Sequence, residues 1–196
     1  MILLEGLLVD LVPYGRAFQA QEVVWWNNES SFWATMGERN VLSRALLERE
    51  RREEAESDEP RTGLAFGVRT KDGVLIGSFE VNYLSYTHRA ANLGAAIGEP
   101  DYWGGGYGTD ALLLLIDYAF DWLDMRRVWL DTMSLNGRVL RQMEKVGFTL
   151  EVRRRRASIA DGQWVDGVVF GLLREEWPGR EAMVERLGLR AREVAG

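Results

Sequence analysis

Tyr102-Trp103-Gly104-Gly105-Gly106-Tyr107-Gly108-Thr109-Asp110-Ala111 is the stretch that decides the fold of this chain. A strand-like segment, Asn92-Leu93-Gly94-Ala95-Ala96-Ile97, precedes it, and a strongly helical one, Ala111 to Leu123, follows. Glycines between a strand and a helix start let the backbone take unusual dihedrals and approach a ligand closely. The unpaired N–H groups of the first helical turn point outward, and the macrodipole adds about half a positive charge there. The stretch therefore reads as a phosphate cradle rather than as a plain tight connection.

Three kinds of cradle compete for that pattern. A Walker loop ends in Gly-Lys-Ser/Thr, but Gly108 is followed by Thr109 with no lysine. A dinucleotide fingerprint needs a third glycine where Thr109 stands, and only Asp131 lies near the distance of its acidic residue. The third pattern, Gln/Arg-x-x-Gly-x-Gly/Ala at a strand-to-helix junction, fits Gly106 and Gly108, with Trp103 where Gln or Arg is usual. That is the coenzyme A loop of the GNAT superfamily of N-acyltransferases, which the chain resembles.

The surrounding blocks resemble the RimJ/RimL branch, the ribosomal-protein-alanine acetyltransferases and related enzymes. Leu4-Glu5-Gly6 with Leu11-Val12-Pro13 looks like its first strand, and Trp26-Asn27-Asn28-Glu29 like the end of its first helix. Ile97 to Trp103 is similar to its lead-in to the loop. Asn136-x-Arg138 and Glu144-Lys145-Val146-Gly147-Phe148 resemble its later helix and strand, and Asp161-Gly162-x-Trp164-x-Asp166 its closing hairpin. The resemblance covers residues 4–177, and the order of the blocks makes it specific. It implies a GNAT acetyltransferase domain over 4–177, with 178–196 as a C-terminal helical extension.

Bulk properties agree with one α+β body. A chain of 196 residues is most naturally one domain, and folding at that size buries about 70% of the unfolded surface. Cysteine is absent, which removes disulfides and thiolate nucleophiles. A single histidine, His88, leaves a zinc site or a Ser-His-Asp triad without its residues, so no metal is expected. The N-terminal residues lack a basic region and no apolar run approaches the roughly 20 residues of a spanning helix, so the chain reads as cytoplasmic. Net charge is −6, which argues against generic nucleic-acid or membrane partners and favours cationic ligands such as amines.

Periodicity places the elements. Strands are expected at Leu7–Val12, Leu64–Arg69, Val74–Tyr83, Ala90–Ile97, Arg127–Thr132, Phe148–Arg156 and Trp164–Leu173. Helices are expected at Phe18–Asn27, Asn40–Glu56, Ala111–Leu123, from Asn136 to Gly147, and at Glu181–Arg192. Lys71-Asp72-Gly73 reads as a hairpin turn. Arg49 to Pro60 reads as a solvated, highly charged connection. The terminal helix, with apolar Met183, Val184 and Leu187, covers a neighbouring element or packs on a partner in a homodimer. The order implies a mixed, mostly antiparallel twisted sheet flanked by helices. It also counts against a dinucleotide oxidoreductase, because the hairpin breaks a doubly wound parallel sheet.

The resemblance implies acetyl-CoA as co-substrate and a primary amine as acceptor, either a protein N-terminus or a small molecule. The pantetheine arm is expected beside Leu93–Ile97, with a backbone N–H near Ala96 or Ile97 polarising the thioester. Trp103, Gly104, Gly105, Gly106, Tyr107, Gly108 and Thr109 are expected around the pyrophosphate, and Asn136 near the arm, a position that equally suits a helix N-cap. For the base the residues offer Glu80, between Phe79 and Val81 and so turned to the opposite face; an exposed strand carboxylate is the plainer reading. His88 looks like part of a hairpin connection.

The proton donor is where the chain departs from the family. The usual tyrosine is Met143 and the alternative serine is Val139, and neither can protonate a thiolate. A missing general acid costs about a hundredfold or more. Tyr107, Tyr83 and Ser134 are substitutes the sequence does not rank. Two functions follow: an acetyl-CoA-dependent N-acetyltransferase, or a GNAT-fold module that binds acyl-CoA with little turnover. The run Arg153 to Arg156 divides between two strand faces and is ordinary for an exposed strand.

Overall fold

The computed structural model describes residues 4–34, 36–37, 43–56 and 63–191. Its centre is an eight-stranded sheet ordered β1-β2-β3-β4-β5-β6-β8-β7. The strands are β1 (Leu4–Glu5), β2 (Val9–Pro13), β3 (Leu64–Thr70), β4 (Leu75–Ser85), β5 (Ala90–Ile97), β6 (Arg127–Met133), β7 (Thr149–Ala160) and β8 (Gln163–Leu173). Every neighbouring pair is antiparallel except β5 and β6. The expected mixed, mostly antiparallel sheet is present, and the Lys71-Asp72-Gly73 turn joins β3 to β4 through Gly73 N to Thr70 O, 3.0 Å.

Helices cover both faces. The helices are α1 (Arg16–Trp26), α2 (Glu29–Ala34), α3 (Arg44–Glu56), α4 (Tyr107–Asp117), α5 (Gly137–Val146) and α6 (Arg180–Leu187). The run Ala111 to Ile116 of α4 is wholly buried in the main core with Phe79 and Val81 of β4 and Ala91 and Leu93 of β5. On the opposite face, Phe18 and Trp25 of α1 pack with Val12, while Phe32 of α2 packs with Met133, Ala160 and Val165. A two-sided sheet of this kind gives each strand one face toward α4 and one toward α1 and α2.

Several elements differ from expectation at their ends. The central helix starts earlier, at Tyr107, and its last turn, Tyr118–Trp122, widens into a π-helix. The Arg174 guanidinium donates to the Phe120 carbonyl in that turn. β7 runs on to Ala160, with register shifts between Leu150 and Val152 and between Arg154 and Ser158. Those bulges disturb the even split expected for the arginines: Arg153 pairs with Asp166 at 3.0 Å and Arg154 with Asp131 at 3.1 Å, and all four stay exposed.

The terminal helix covers a neighbour within the chain. α6 packs on α4, and Met183 is fully buried in the main core. Parts of three expectations, Asn40 to Leu42 of the third helix, residues 57–60 of the charged connection and Arg192, lie outside the described residues. No helix among the described residues is long and apolar enough to cross a membrane.

Candidate functional site

β5 and β6 part company halfway along. They pair only at Ala90↔Arg127, Ala91↔Val128 and Asn92↔Trp129, although β5 continues to Ile97 and β6 to Met133. At the point where they part, Asn92 Nδ2 donates to the Trp129 carbonyl at 3.3 Å. On the other side β5 stays zipped to β4 as far as Gly77↔Ile97, and Gly98 N donates to Ile76 O at 2.8 Å. Strand alternation then turns the amide of Ala96 toward β4 and those of Ala95 and Ile97 into the opening. Of the two expected thioester donors, Ile97 faces the cleft and Ala96 does not.

The glycine loop closes the wide end of this opening. Gly104 and Gly106 have φ of 81° and 90°, the left-handed region that glycine alone enters freely. Gly106 is the N-cap of α4, and Asp110 N donates to its carbonyl at 2.9 Å. The amides of Tyr107, Gly108 and Thr109 form the first turn and lack intrahelical acceptors. A side chain at Gly108 would come within 3.3 Å of Ile97, so the helix start sits hard against the end of β5.

Two further links join the loop and α4 to α5. Trp103 Nε1 donates to Ile97 O at 2.8 Å, and the Arg138 guanidinium lies 4.0 Å from the Trp103 ring centroid. Burial pushes the Arg138 pKa down, against the pull of Glu29, and Arg141 adds to the fall. Gln142 Nε2 donates to Thr109 Oγ1 at 3.2 Å. Asn136 is buried and caps α5, accepting from Val139 N at 3.4 Å and donating to Thr132 Oγ1 at 3.3 Å. Its side chain is committed to the cap.

Glu80 lies opposite Gly94 on the face turned to α1 and α2. Asn82 Nδ2 donates to its Oε2 at 2.9 Å, and a Cβ at Gly94 would approach the Glu80 side chain at 3.4 Å. No cation among the described residues stands within ion-pair distance of Glu80. Met143, at the position of the usual acid, is 1% exposed inside the main core. Val139 packs on the same core. Tyr107 stacks edge-on against Tyr102 at the start of α4, Ser134 closes β6 with its amide on Asp166 O, and Tyr83 stands exposed near the point where β5 and β6 part. His88 is exposed in the β4–β5 turn.

Two residues of the site escape sequence reasoning. Asp110 is fully buried and accepts from Leu8 N at 2.7 Å and Val9 N at 3.2 Å. Glu99 accepts from Gln21 Nε2 at 2.7 Å and Trp25 Nε1 at 2.8 Å, tying α1 to the lead-in of the loop. Both partners lie far away in sequence, where no local pattern reaches. Among the described residues no group of three or more His, Asp or Glu could hold a metal ion.

A family model described as an acetyltransferase (GNAT) domain matches residues 9–149. The chain is 30% identical over 131 residues to a putative ribosomal N-acetyltransferase, YdaF, of Bacillus subtilis (strain 168), covering 67% of this chain and 68% of that relative. It is 26% identical over 106 residues to spermidine N(1)-acetyltransferase of Escherichia coli (strain K12), covering 54% of this chain and 56% of that one. A crystal structure of spermidine N-acetyltransferase from Vibrio cholerae in complex with CoA and spermine superposes with a TM-score of 0.76 at 21% identity, over 86% of this chain and 96% of that chain. At that identity it speaks for the fold. A GCN5-related N-acetyltransferase from Brucella melitensis superposes with a TM-score of 0.70 at 25% identity, over 91% of this chain and 81% of that one.

Proposed function

The chain belongs to the GNAT acetyltransferase family, N-acetyltransferases that draw on acetyl-CoA, and we propose that this cleft transfers the acetyl group to a primary amine by direct attack on the thioester. The observation that carries the reading is the parting of β5 from β6 beside a helix start whose N-cap is Gly106. In this reading the pyrophosphate rests on the amides of Gly104 to Thr109, with Trp103 at the loop's entry. The pantetheine arm runs along β5 as an added strand, and the Ile97 amide serves the arm. Asn136 holds the start of α5 beside it. The transferring domain is residues 4–177, with 178–196 as its C-terminal extension, and its branch is RimJ/RimL-like.

The chemistry then runs on this chain's residues. Glu80 takes a proton from the acceptor ammonium, directly or through water. The neutral nitrogen attacks the thioester carbonyl, the C–N bond forms, the nitrogen gives its second proton to water and the C–S bond breaks. The thiolate leaves without an acid from Met143 or Val139 and takes its proton from solvent; it is a good leaving group, and positioning supplies most of the acceleration.

The acceptor is a protein N-terminus or a small-molecule amine. Neutralising an alkyl ammonium at pH 7 costs about 3.5 kcal/mol more than neutralising an α-amine. With no base the α-amine is favoured; with Glu80 in that role both are open. Release of coenzyme A thiol on incubation with acetyl-CoA and either an α-amino peptide or spermidine tests the proposal. Amine-dependent release supports it, and the faster acceptor names the class. Coenzyme binding with no amine-dependent release overturns it.

A further inference from the structure

Tyr83 is held in an unusual state. Its φ is 47°, in the left-handed region, and it sits where the register of β4 with β5 shifts between Asn82 and Ser85. A bulky aromatic at positive φ is strained, and such strain persists where the surrounding structure uses the side chain's placement. Here the strain does not bury the ring. Tyr83 is 71% exposed and stacks on Trp129 of β6, with ring centroids 6.3 Å apart and an interplanar angle of 18°. The bulge thus lays one aromatic over another across the intervening β5.

The neighbourhood is polar and short of positive charge at one point. Trp129 pairs with Asn92, whose side chain donates to the Trp129 carbonyl, and Asn92 pairs with Asn82, which donates to Glu80. The other carboxylates on this side have cations: Asp131 has Arg154 at 3.1 Å, and Glu151 has Arg127. Glu80 alone among these three lacks a basic partner within the described residues. An exposed π face about three strand steps, roughly 10 Å, from an uncompensated carboxylate forms a two-point site for positive charge.

We propose that the Tyr83–Trp129 stack is the seat of a second cationic group on the acceptor, holding a two-charged alkylamine so that its reacting end lies near Glu80. This rests on the proposed amine transfer and deepens it. A cation over an exposed to partly desolvated aromatic face gains about 2- to 30-fold in affinity. The platform therefore selects diamine-like acceptors over monoamines of the same length.

Calorimetric titration of the full chain in the presence of coenzyme A, with hexamethylenediamine and with hexylamine, tests it. The diamine is expected to bind about 2- to 30-fold more tightly than the monoamine. Tyr83→Gly, which removes the ring and accepts the positive φ, is expected to close that gap to within about twofold. Tyr83→Phe, which keeps the ring, is expected to retain it. A gap unchanged in Tyr83→Gly, a gap absent from the parent protein, or no binding of either amine by the parent overturns the proposal. Thiol release with acetyl-CoA reads the transfer separately. Diamine binding that depends on Tyr83 without release sinks the transferase reading and leaves the platform; release with an unchanged gap does the reverse.

Discussion

Arg180 Nη2 of α6 lies 2.9 Å from Asp110 Oδ1, and that carboxylate is wholly buried. Its second oxygen takes the amides of Leu8 and Val9, so one side chain in the first turn of α4 ties the phosphate loop to the β1–β2 corner and to the terminal helix. A buried carboxylate stripped of its cation is costly, about 3–5 kcal/mol. Arg180→Met is expected to lower unfolding free energy in urea by that amount. Asp110→Asn with Arg180→Met together is expected to recover part of it, because no lone charge is then left inside. The Arg180 Nε is buried with no hydrogen-bond acceptor, so the parent pair is already imperfectly satisfied.

Gly104 and Gly106 separate two costs at the loop. Both have left-handed φ, which asks about 1–2 kcal/mol of any residue with a Cβ. At Gly104 a Cβ meets open space, while at Gly106 it would come within 3.2 Å of Leu8 and 3.3 Å of Leu189. Gly106→Ala is therefore expected to destabilise more than Gly104→Ala in thermal unfolding, and to raise the KM for acetyl-CoA more, since the loop must move off its supports.

What the sequence made legible was local. The glycine run, the strand before it and the helix after it stand side by side in the chain, so a glycine loop leading into a helix follows from residue types alone, although the helix starts at Tyr107 rather than Ala111. The alternation Phe79-Glu80-Val81 likewise turned Glu80 to the face opposite the core. The parting of β5 from β6 was not legible, because it depends on which strands the fold sets side by side: Asn92 and Trp129 are neighbours only there. The same holds for Asp110, whose partners Leu8 and Arg180 lie 102 and 70 positions away. Asn136 could be read as a cap, as a cofactor neighbour or as both, and the structure shows the cap.

Glu151 and Asp117 should respond to pH with opposite sign. Hydrogen bonding from Arg127 lowers the Glu151 pKa, with burial opposing and the Arg127 charge assisting. Its folded value lies below its unfolded one, so its stabilisation is present above the unfolded pKa and is lost as pH falls through the folded pKa. Burial raises the Asp117 pKa, against a hydrogen bond from Trp177. That stabilisation is full below the unfolded pKa and is lost as pH rises through the folded pKa. Glu151→Gln is expected to destabilise at neutral pH and to flatten the acid limb of stability against pH. Asp117→Asn is expected to be neutral or stabilising at neutral pH. Urea midpoints measured from the acid range to pH 7 check both.

Trp103 holds two contacts that can be taken apart. Trp103→Phe loses the donor to Ile97 O but keeps a ring under Arg138, and Arg138→Met does the converse. A lost neutral hydrogen bond is worth about 1 kcal/mol and a lost cation–π contact about 0.5–1 kcal/mol. Each variant is expected to raise the KM for acetyl-CoA about two- to fivefold with kcat nearly unchanged, because neither side chain reaches the reacting atoms. Equal falls in kcat would instead put the Trp103–Arg138 contact in the chemical step.

Glu80→Gln isolates the base. Glutamine keeps an oxygen for the Asn82 amide and nearly the same volume beside Gly94, so the local packing survives. It removes the group that the proposed transfer assigns to take the ammonium proton. General base catalysis contributes about 10²–10⁴-fold, so kcat/KM for the amine should fall within that range while the KM for acetyl-CoA stays put. The rate of the variant should climb as pH rises toward the amine's own pKa, because hydroxide and solvent then supply the neutral nitrogen that Glu80 supplied at pH 7. A variant as fast as the parent at neutral pH would show that the acceptor arrives already neutral and that Glu80 serves only to draw it in.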